Sequence, residues 1–152
     1  MGEAAVAICY ACEQALRDDL PPRERVLQTS NWRVAHAFDT ALPGWLVLLP
    51  NRHITSLAQL HIDEADEMGG LLRRLTTALQ DELGCVKTYV VLLAEAEGFS
   101  HAHFHVIPRM HDLAEDLRGP RIFELMRRPA AQHVPTVEQD RLATALAARL
   151  AE

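Results

Sequence analysis

Between Asn31 and Phe38 (NWRVAHAF) Trp32, Val34, His36 and Phe38 fall on every second position, a period of two that predicts a strand. A short connection with proline and glycine, Asp39 to Gly44, leads into the unbroken apolar run Trp45 to Leu49, predicted as a central strand that Pro50 stops. Two strands so close together predict an antiparallel hairpin. From Asp63 to Leu83 the period changes: Met68, Leu71, Leu72, Leu75, Leu79 and Leu83 recur at helical spacing. Asp63, Glu64, Asp66 and Glu67 crowd the positive end of that helix, and Gly84 is a natural stop. Gly69-Gly70 costs roughly 1–2 kcal/mol of helix propensity, so close packing or a local weakness is expected there.

The pattern then returns to β. Val86 to Leu93 reads as a strand, AEAEGFS as a loop, and His101 to Ile107 as a strand ended by Pro108, which gives a second antiparallel hairpin. Pro135-Thr136-Val137-Glu138-Gln139 opens a last helix, with Thr136 placed to cap it and Gln139 to return the bond. Leu142, Leu146 and Leu150 share one face of that helix, which runs to about Ala151. Pro21-Pro22 marks a turn between an N-terminal segment and the body. The order strand–strand–helix–strand–strand–helix predicts an α+β fold with helices segregated to one side of the sheet.

Composition narrows the functional classes. The 152 residues are 49% hydrophobic and 24% charged, as expected of a globular chain able to bury its own core. A net charge of −6 disfavours non-specific binding to nucleic acid polymers or anionic membrane, though not a small phosphorylated ligand. No window reaches the roughly 20 apolar residues of a membrane span, and the apolar AAVAICYAC lacks the basic flank of a secretory signal. An odd number of cysteines, three, makes no disulfide framework. The expected compartment is a reducing cytoplasm, where Cys9-x-x-Cys12 suggests metal or redox chemistry.

The chemistry concentrates in GFSHAHFHVIPRM. On a strand His101, His103 and His105 share a face, about 6–7 Å apart, while Ala102, Phe104 and Val106 take the other and pack toward the long helix. Three readings compete. The histidines are accidental and merely hydrogen-bonded; they chelate a metal such as Zn²⁺; or one is a nucleophile toward phosphorus, with its neighbours donating hydrogen bonds to phosphate oxygens and the leaving group.

His101-Ala-His103-Phe-His105-Val106-Ile107 resembles the His-φ-His-φ-His-φ-φ motif of the histidine-triad (HIT) family, φ being apolar. Upstream, Pro43 to Ile54 (PGWLVLLPNRHI) looks like the family's Gly-His-x-Leu-Val-x-Pro-Lys-x-His segment, and Cys9-x-x-Cys12 sits where many bacterial members carry such a pair. The resemblance spans about residues 9–110. It implies a single HIT-like domain over 1–152, an antiparallel sheet of about five strands with a long helix and a C-terminal helix, and a C-terminal extension from about 111. It also implies a hydrolase or nucleotidyl transferase acting on dinucleoside polyphosphates, nucleoside phosphoramidates or similar conjugates. His103 would attack the α-phosphorus to give a nucleotidyl-histidine that water hydrolyses. His105 would bond the scissile phosphate, and a main-chain carbonyl would fix the tautomer of His103. Asp39 is the ribose-side candidate, with Phe38, Gly98 and Ser100 beside the nucleotide.

The same resemblance implies a structural zinc held by Cys9, Cys12, His53 and His101, which would make His101 both ligand and triad member, and a homodimer that extends the sheet. Two departures stand out. Trp45 occupies the position of a histidine that in most members supports the first histidine of the triad. The approach Glu95 to Ser100 is shortened, so both loops bordering the pocket are altered. These departures keep two alternatives in play: a nucleotide-binding regulatory protein with little turnover, and a metallohydrolase whose three histidines share one catalytic metal. Cys85, at the mouth of a strand, is expected to be simply buried; His36, His61, His111 and His133 have no partners at useful spacing and are expected to be structural or exposed.

Overall fold

A computed structural model describes residues 9–152; the start of the apolar AAVAICYAC stretch, residues 4–8, lies outside them. The order of elements is a short helix α1 (Tyr10–Ala15), strands β1 (Leu27–Gln28), β2 (Trp32–His36) and β3 (Leu46–Pro50), the long helix α2 (Ile62–Leu83), strands β4 (Lys87–Leu92) and β5 (Phe104–Arg109), and the helix α3 (Thr136–Leu150). Short 3₁₀ turns fill the connections, including Pro22–Glu24, which starts within the proline pair, and Gly119–Met126 before α3. The five strands form one antiparallel sheet in the order β1-β2-β3-β5-β4. Both expected hairpins, β2–β3 and β4–β5, are present, and β3 beside β5 joins them at the centre. This is the α+β architecture that the alternation of periods predicted.

The sheet has two different faces. One buries Trp32, Val34, Leu46, Leu48, Phe104 and Val106 against Leu71, Leu75 and Leu79 of α2 and Leu146 and Leu150 of α3. Phe104 and Val106 therefore point to the helices, as the alternation required. The other face carries Ala35, Val47 and His105 in one paired row and is partly covered by the 3₁₀ turn Gly119–Met126, where Trp45, Ile107 and Ile122 form a second buried cluster. Gly44 permits the tight entry to β3. Its φ is +86°, and a Cβ there would collide with Leu83.

Several local expectations are corrected. β5 begins at Phe104, so His101 and His103 precede the paired strand and are held by other contacts. Both prolines are paired members of their strands: Pro50 pairs with Trp32 as the last residue of β3, and Pro108 pairs with Thr88 one residue before β5 ends. Pro108 is tolerated because the β3 ladder already ends at Val106. The two-residue strand β1, too short to show a period, was not legible in the pattern. At α3 the N-cap is Pro135, Thr136 makes no cap bond, and Gln139 Nε2 donates instead to the Val134 carbonyl at 2.9 Å. Gly69 and Gly70 pack against nothing; both are exposed, with open space where a Cβ would stand.

Candidate functional site

The first cluster forms where α1 meets the loop after β3 and the loop before β5. Cys9 caps α1, its sulfur accepting the main-chain N–H of Cys12 at 3.4 Å, so the two cysteines turn one way across the first helical turn. His53 follows β3, and His101 approaches β5. The sulfurs of Cys9 and Cys12 and the Nδ1 atoms of His53 and His101 all lie within 4.8 Å of one another. Cys9 and Cys12 stand 3.5 and 3.6 Å from His101 Nδ1, Cys12 stands 3.4 Å from His53 Nδ1, and the two imidazole nitrogens are 3.2 Å apart. Tetrahedral Zn²⁺, with bonds of about 2.3 Å to sulfur and about 2.05 Å to nitrogen, needs S–N edges of about 3.5 Å and N–N edges of about 3.3 Å. The four donors fit that ion. His101 Nε2–H donates to the Pro50 carbonyl at 2.8 Å, which leaves Nδ1 as the ligand nitrogen and supplies the outer-shell bond that metal-binding histidines use. Burial, then the adjacent Cys9, pushes the Cys12 thiol up to about 11, so a divalent cation is the partner that would make it a thiolate.

A second pair of residues fixes the loop that carries His53. The Arg52 guanidinium holds the Glu64 carboxylate through two bonds, 3.0 and 2.7 Å. Glu64 also accepts the His61 N–H at 2.7 Å, closing the start of α2, while its own carbonyl accepts Trp32 Nε1–H at 3.0 Å. Arg52 first of all holds the Glu64 pKa down, to about 2. Neither residue stood out in the sequence as part of a site. The signal was the spacing of Glu64 three residues after His61, the reciprocal bond of a helix start.

The three triad histidines have three different partners. His101 faces the cysteines. His103 Nδ1–H donates to the His101 carbonyl at 2.9 Å, leaving Nε2 as its free nitrogen. His105 Nδ1 accepts the Trp45 indole N–H at 3.0 Å. The side chain at position 45 thus serves the third histidine, not the first: Trp45 is fully buried, and its indole N–H reaches from the residue before β3 across to β5. Phe123 closes on this pair, its ring 5.0 Å from His105 and 5.3 Å from Trp45, both edge-on. Burial, then His103, pushes the His105 pKa down to about 4, so that imidazole is neutral.

All three histidines line one cavity of about 400 Å³ on the face of the sheet away from α2. Its outer wall is aromatic: Tyr10, Phe38 and Phe99 lie 5.3–6.3 Å apart, centroid to centroid. At its base Arg33 pairs with Glu24 at 2.8 Å, and Glu24 also accepts the Tyr10 hydroxyl at 2.7 Å. Phe38, Asp39 and Gly98 line the cavity. Asp39 is exposed, with φ of +54°, and its carboxylate lies 3.7 Å from His133 Nδ1. Ser100 does not line it: the loop turns Phe99 inward onto Tyr10 and Phe38 and leaves Ser100 exposed. His36 is structural, accepting the Gly44 N–H on Nε2 and donating from Nδ1 to the Ala37 carbonyl. Cys85 is a buried free thiol.

A family model described as "HIT domain" matches residues 21–112. The chain belongs to the HIT domain family. Solved structures share its fold at low identity. A zinc-bound histidine triad family protein from Mycobacterium smegmatis is 18% identical, with 94% of this chain and 93% of that one covered and a TM-score of 0.66. A hypothetical histidine triad nucleotide-binding protein from Sulfolobus tokodaii is 12% identical, with 94% and 92% covered and a TM-score of 0.70. A histidine triad protein from Bradyrhizobium japonicum is 20% identical, with 83% and 89% covered and a TM-score of 0.68. None of the curated proteins compared matches the chain.

Several site residues of this HIT protein lie outside the matched segment: Cys9, Tyr10 and Cys12 before it, Phe123 and Met126 after it. Cys-x-x-Cys was legible from its spacing. Phe123 and Met126 were not, because nothing in GPRIFELM distinguishes cavity-lining side chains from core. The residues after 111 therefore help to build the cavity. No helix among the described residues is long and apolar enough to cross a membrane.

Proposed function

We propose that this HIT protein is a hydrolase or nucleotidyl transferase that works on nucleotide conjugates through a covalent nucleotidyl-histidine on His103. The observation that carries this reading is the bond from His103 Nδ1–H to the His101 carbonyl. It fixes the tautomer in which Nε2 holds the lone pair, in a cavity that also offers a neutral His105. His103 Nε2 attacks the α-phosphorus. The N–P bond forms as the bond to the leaving group breaks, and the leaving group departs with the bonding pair. Water then attacks the same phosphorus, releases the nucleoside monophosphate and returns His103 to its neutral form. His105 Nε2–H donates a hydrogen bond to a phosphate oxygen as negative charge grows there. The aromatic wall of Tyr10, Phe38 and Phe99 offers a stacking surface for the base, and Asp39 is the ribose-side acceptor.

Cys9, Cys12, His53 and His101 would hold zinc, which supplies a fixed tetrahedral link between the N-terminal segment and the approach to β5. Two observations speak against a single metal shared by the triad: His101 turns its Nδ1 to the cysteines, and His105, whose Nδ1 accepts the Trp45 N–H, keeps its proton on Nε2 and so offers no lone pair to an ion in the cavity. A second copy of the chain is the expected partner. The edge strand β4 and the residues flanking it expose Val86, Val90 and Leu93, which suits sheet extension.

The test is intact-mass analysis after mixing with a nucleoside phosphoramidate and with a dinucleoside polyphosphate, with metal analysis of the same sample. A nucleotidyl adduct that is absent in His103→Ala, together with one zinc per chain, is the expected result. Binding without an adduct would favour the regulatory reading. Wild-type turnover by His103→Ala would overturn the nucleophile assignment.

A further inference from the structure

The position where this chain departs from its family's motif is also where a catalytic-face histidine finds its partner. Trp45 is fully buried immediately before β3. Its ring meets His105 at 86° with centroids 5.7 Å apart, and its Nε1–H points at His105 Nδ1 at 3.0 Å. An indole nitrogen only donates, so the imidazole nitrogen facing it must be the one without a proton. An imidazolium would set N–H against N–H at this contact and lose the hydrogen bond from Trp45. Phe123 packs edge-on to both rings.

We propose that Trp45 is a positioning residue: its indole N–H holds His105 as the neutral Nε2–H tautomer, so that His105 serves the site as a fixed hydrogen-bond donor and not as a proton-transferring acid. The consequence for chemistry is specific. A neutral imidazole that gave up its Nε2 proton would become imidazolate, which is inaccessible near neutrality. Transferable protons must then come from elsewhere, and the substrates best served are those whose leaving group departs without a full proton from His105. Such a leaving group is a weakly basic one, or one that arrives already protonated. The effect on turnover rests on the proposed role of His103; the tautomer does not.

The experiment is ¹⁵N NMR of the imidazole nitrogens of the full chain with its metal bound. The wild type is compared with Trp45→Phe and with protein carrying β-(3-benzothienyl)alanine at position 45, a ring of nearly the same shape without the N–H. In the wild type His105 is expected to show an unprotonated Nδ1 and a protonated Nε2. In both variants the two shifts should move toward a mixture of tautomers, while the His103 pair stays unchanged. A wild-type His105 protonated on Nδ1, or unaltered shifts in the benzothienyl protein, would overturn the proposal. The benzothienyl protein keeps the packing, so the result stands even if Trp45→Phe folds poorly. With a substrate that the wild type turns over, the variants should lose about tenfold in kcat with less change in KM. Loss in KM alone would assign Trp45 to packing. Should the wild type turn over no nucleotide while the NMR shifts behave as expected, the proposed function fails and the tautomer lock stands.

Discussion

His103 Nδ1 lies 2.9 Å from the carbonyl oxygen of His101, while the His101 ring faces Cys9, Cys12 and His53. The residue that orients the proposed nucleophile is thus itself tied to the cysteine-histidine cluster, and the two sites share one short piece of main chain. Removing the proposed zinc should act on this link. Chelation, or Cys12→Ser, should lower stability by about 3 kcal/mol at a metal concentration that had saturated the site. Turnover should fall partly, through looser placement of His103, with no all-or-none loss. Thermal unfolding and single-turnover rates on the same samples check this. Complete loss of chemistry with stability unchanged would point to a catalytic metal.

Arg52 and Glu64 make a related claim without any metal. Glu64→Ala removes a buried carboxylate that closes the start of α2 and anchors Arg52 beside His53, at a cost of order 2 kcal/mol. Metal affinity should fall with it, since His53 loses the support of its neighbour, while Glu64→Gln keeps part of the bonding and should fall between. Competition with a chromophoric chelator measures the affinity, and urea unfolding the stability.

Acid should destabilise the protein in two windows. Burial depresses His105 to about 4 and lowers His36 from the ordinary 6.5. Above 6.5 both states of the chain are neutral at these sites. As pH falls from about 6.5 toward 4 the unfolded chain takes up protons that the folded chain refuses, and stability drops. Glu64, held near 2 against a usual 4.5, adds its loss only as pH falls from about 4.5 toward 2. Urea midpoints between pH 7.5 and 4.5 should show the first window, and His105→Gln should flatten it relative to wild type. An equal slope in that variant would remove His105 as a cause.

How much could be read in advance divides along physical lines. Long periodic segments declared themselves: the leucines of α2, the alternation of β2, the unbroken run of β3. The triad and Cys-x-x-Cys were legible because few other roles put those residue types at those spacings. Three kinds of feature were not. The two-residue β1 has no period. The ends of β3 and β5 depend on which neighbour remains to be paired, and that decided the fate of Pro50 and Pro108. The partners of the site histidines are long-range contacts: Trp45 lies 60 positions from His105, and Phe123 arrives from a segment whose own sequence says nothing of histidines.

Gly69 and Gly70 test the reading of α2. With open space at both Cβ positions, alanine at each should stabilise by roughly 0.5–1 kcal/mol, from helix propensity and a less free unfolded chain, and leave turnover unchanged. Destabilisation would mean that something packs there in solution, a second copy included.

The sharpest contrast lies in adjacent residues of the 3₁₀ turn Gly119–Met126. Ile122 is buried in the cluster with Trp45 and Ile107, whereas Phe123 is half-buried and turns its ring onto His105. Ile122→Ala should cost about 2–4 kcal/mol of stability and, where the chain still folds, change kcat little. Phe123→Ala should cost less in stability, roughly 2 kcal/mol for a ring only partly removed from water, and more in kcat, because His105 gains room to turn and water gains access to it. Phe123→Leu, which fills part of the space, should recover stability before it recovers kcat. Denaturant unfolding and kcat measured for the three variants give the comparison. If both quantities follow side-chain volume alone, the segment after residue 111 is packing material; if kcat follows the ring at position 123, that segment is part of the catalytic apparatus.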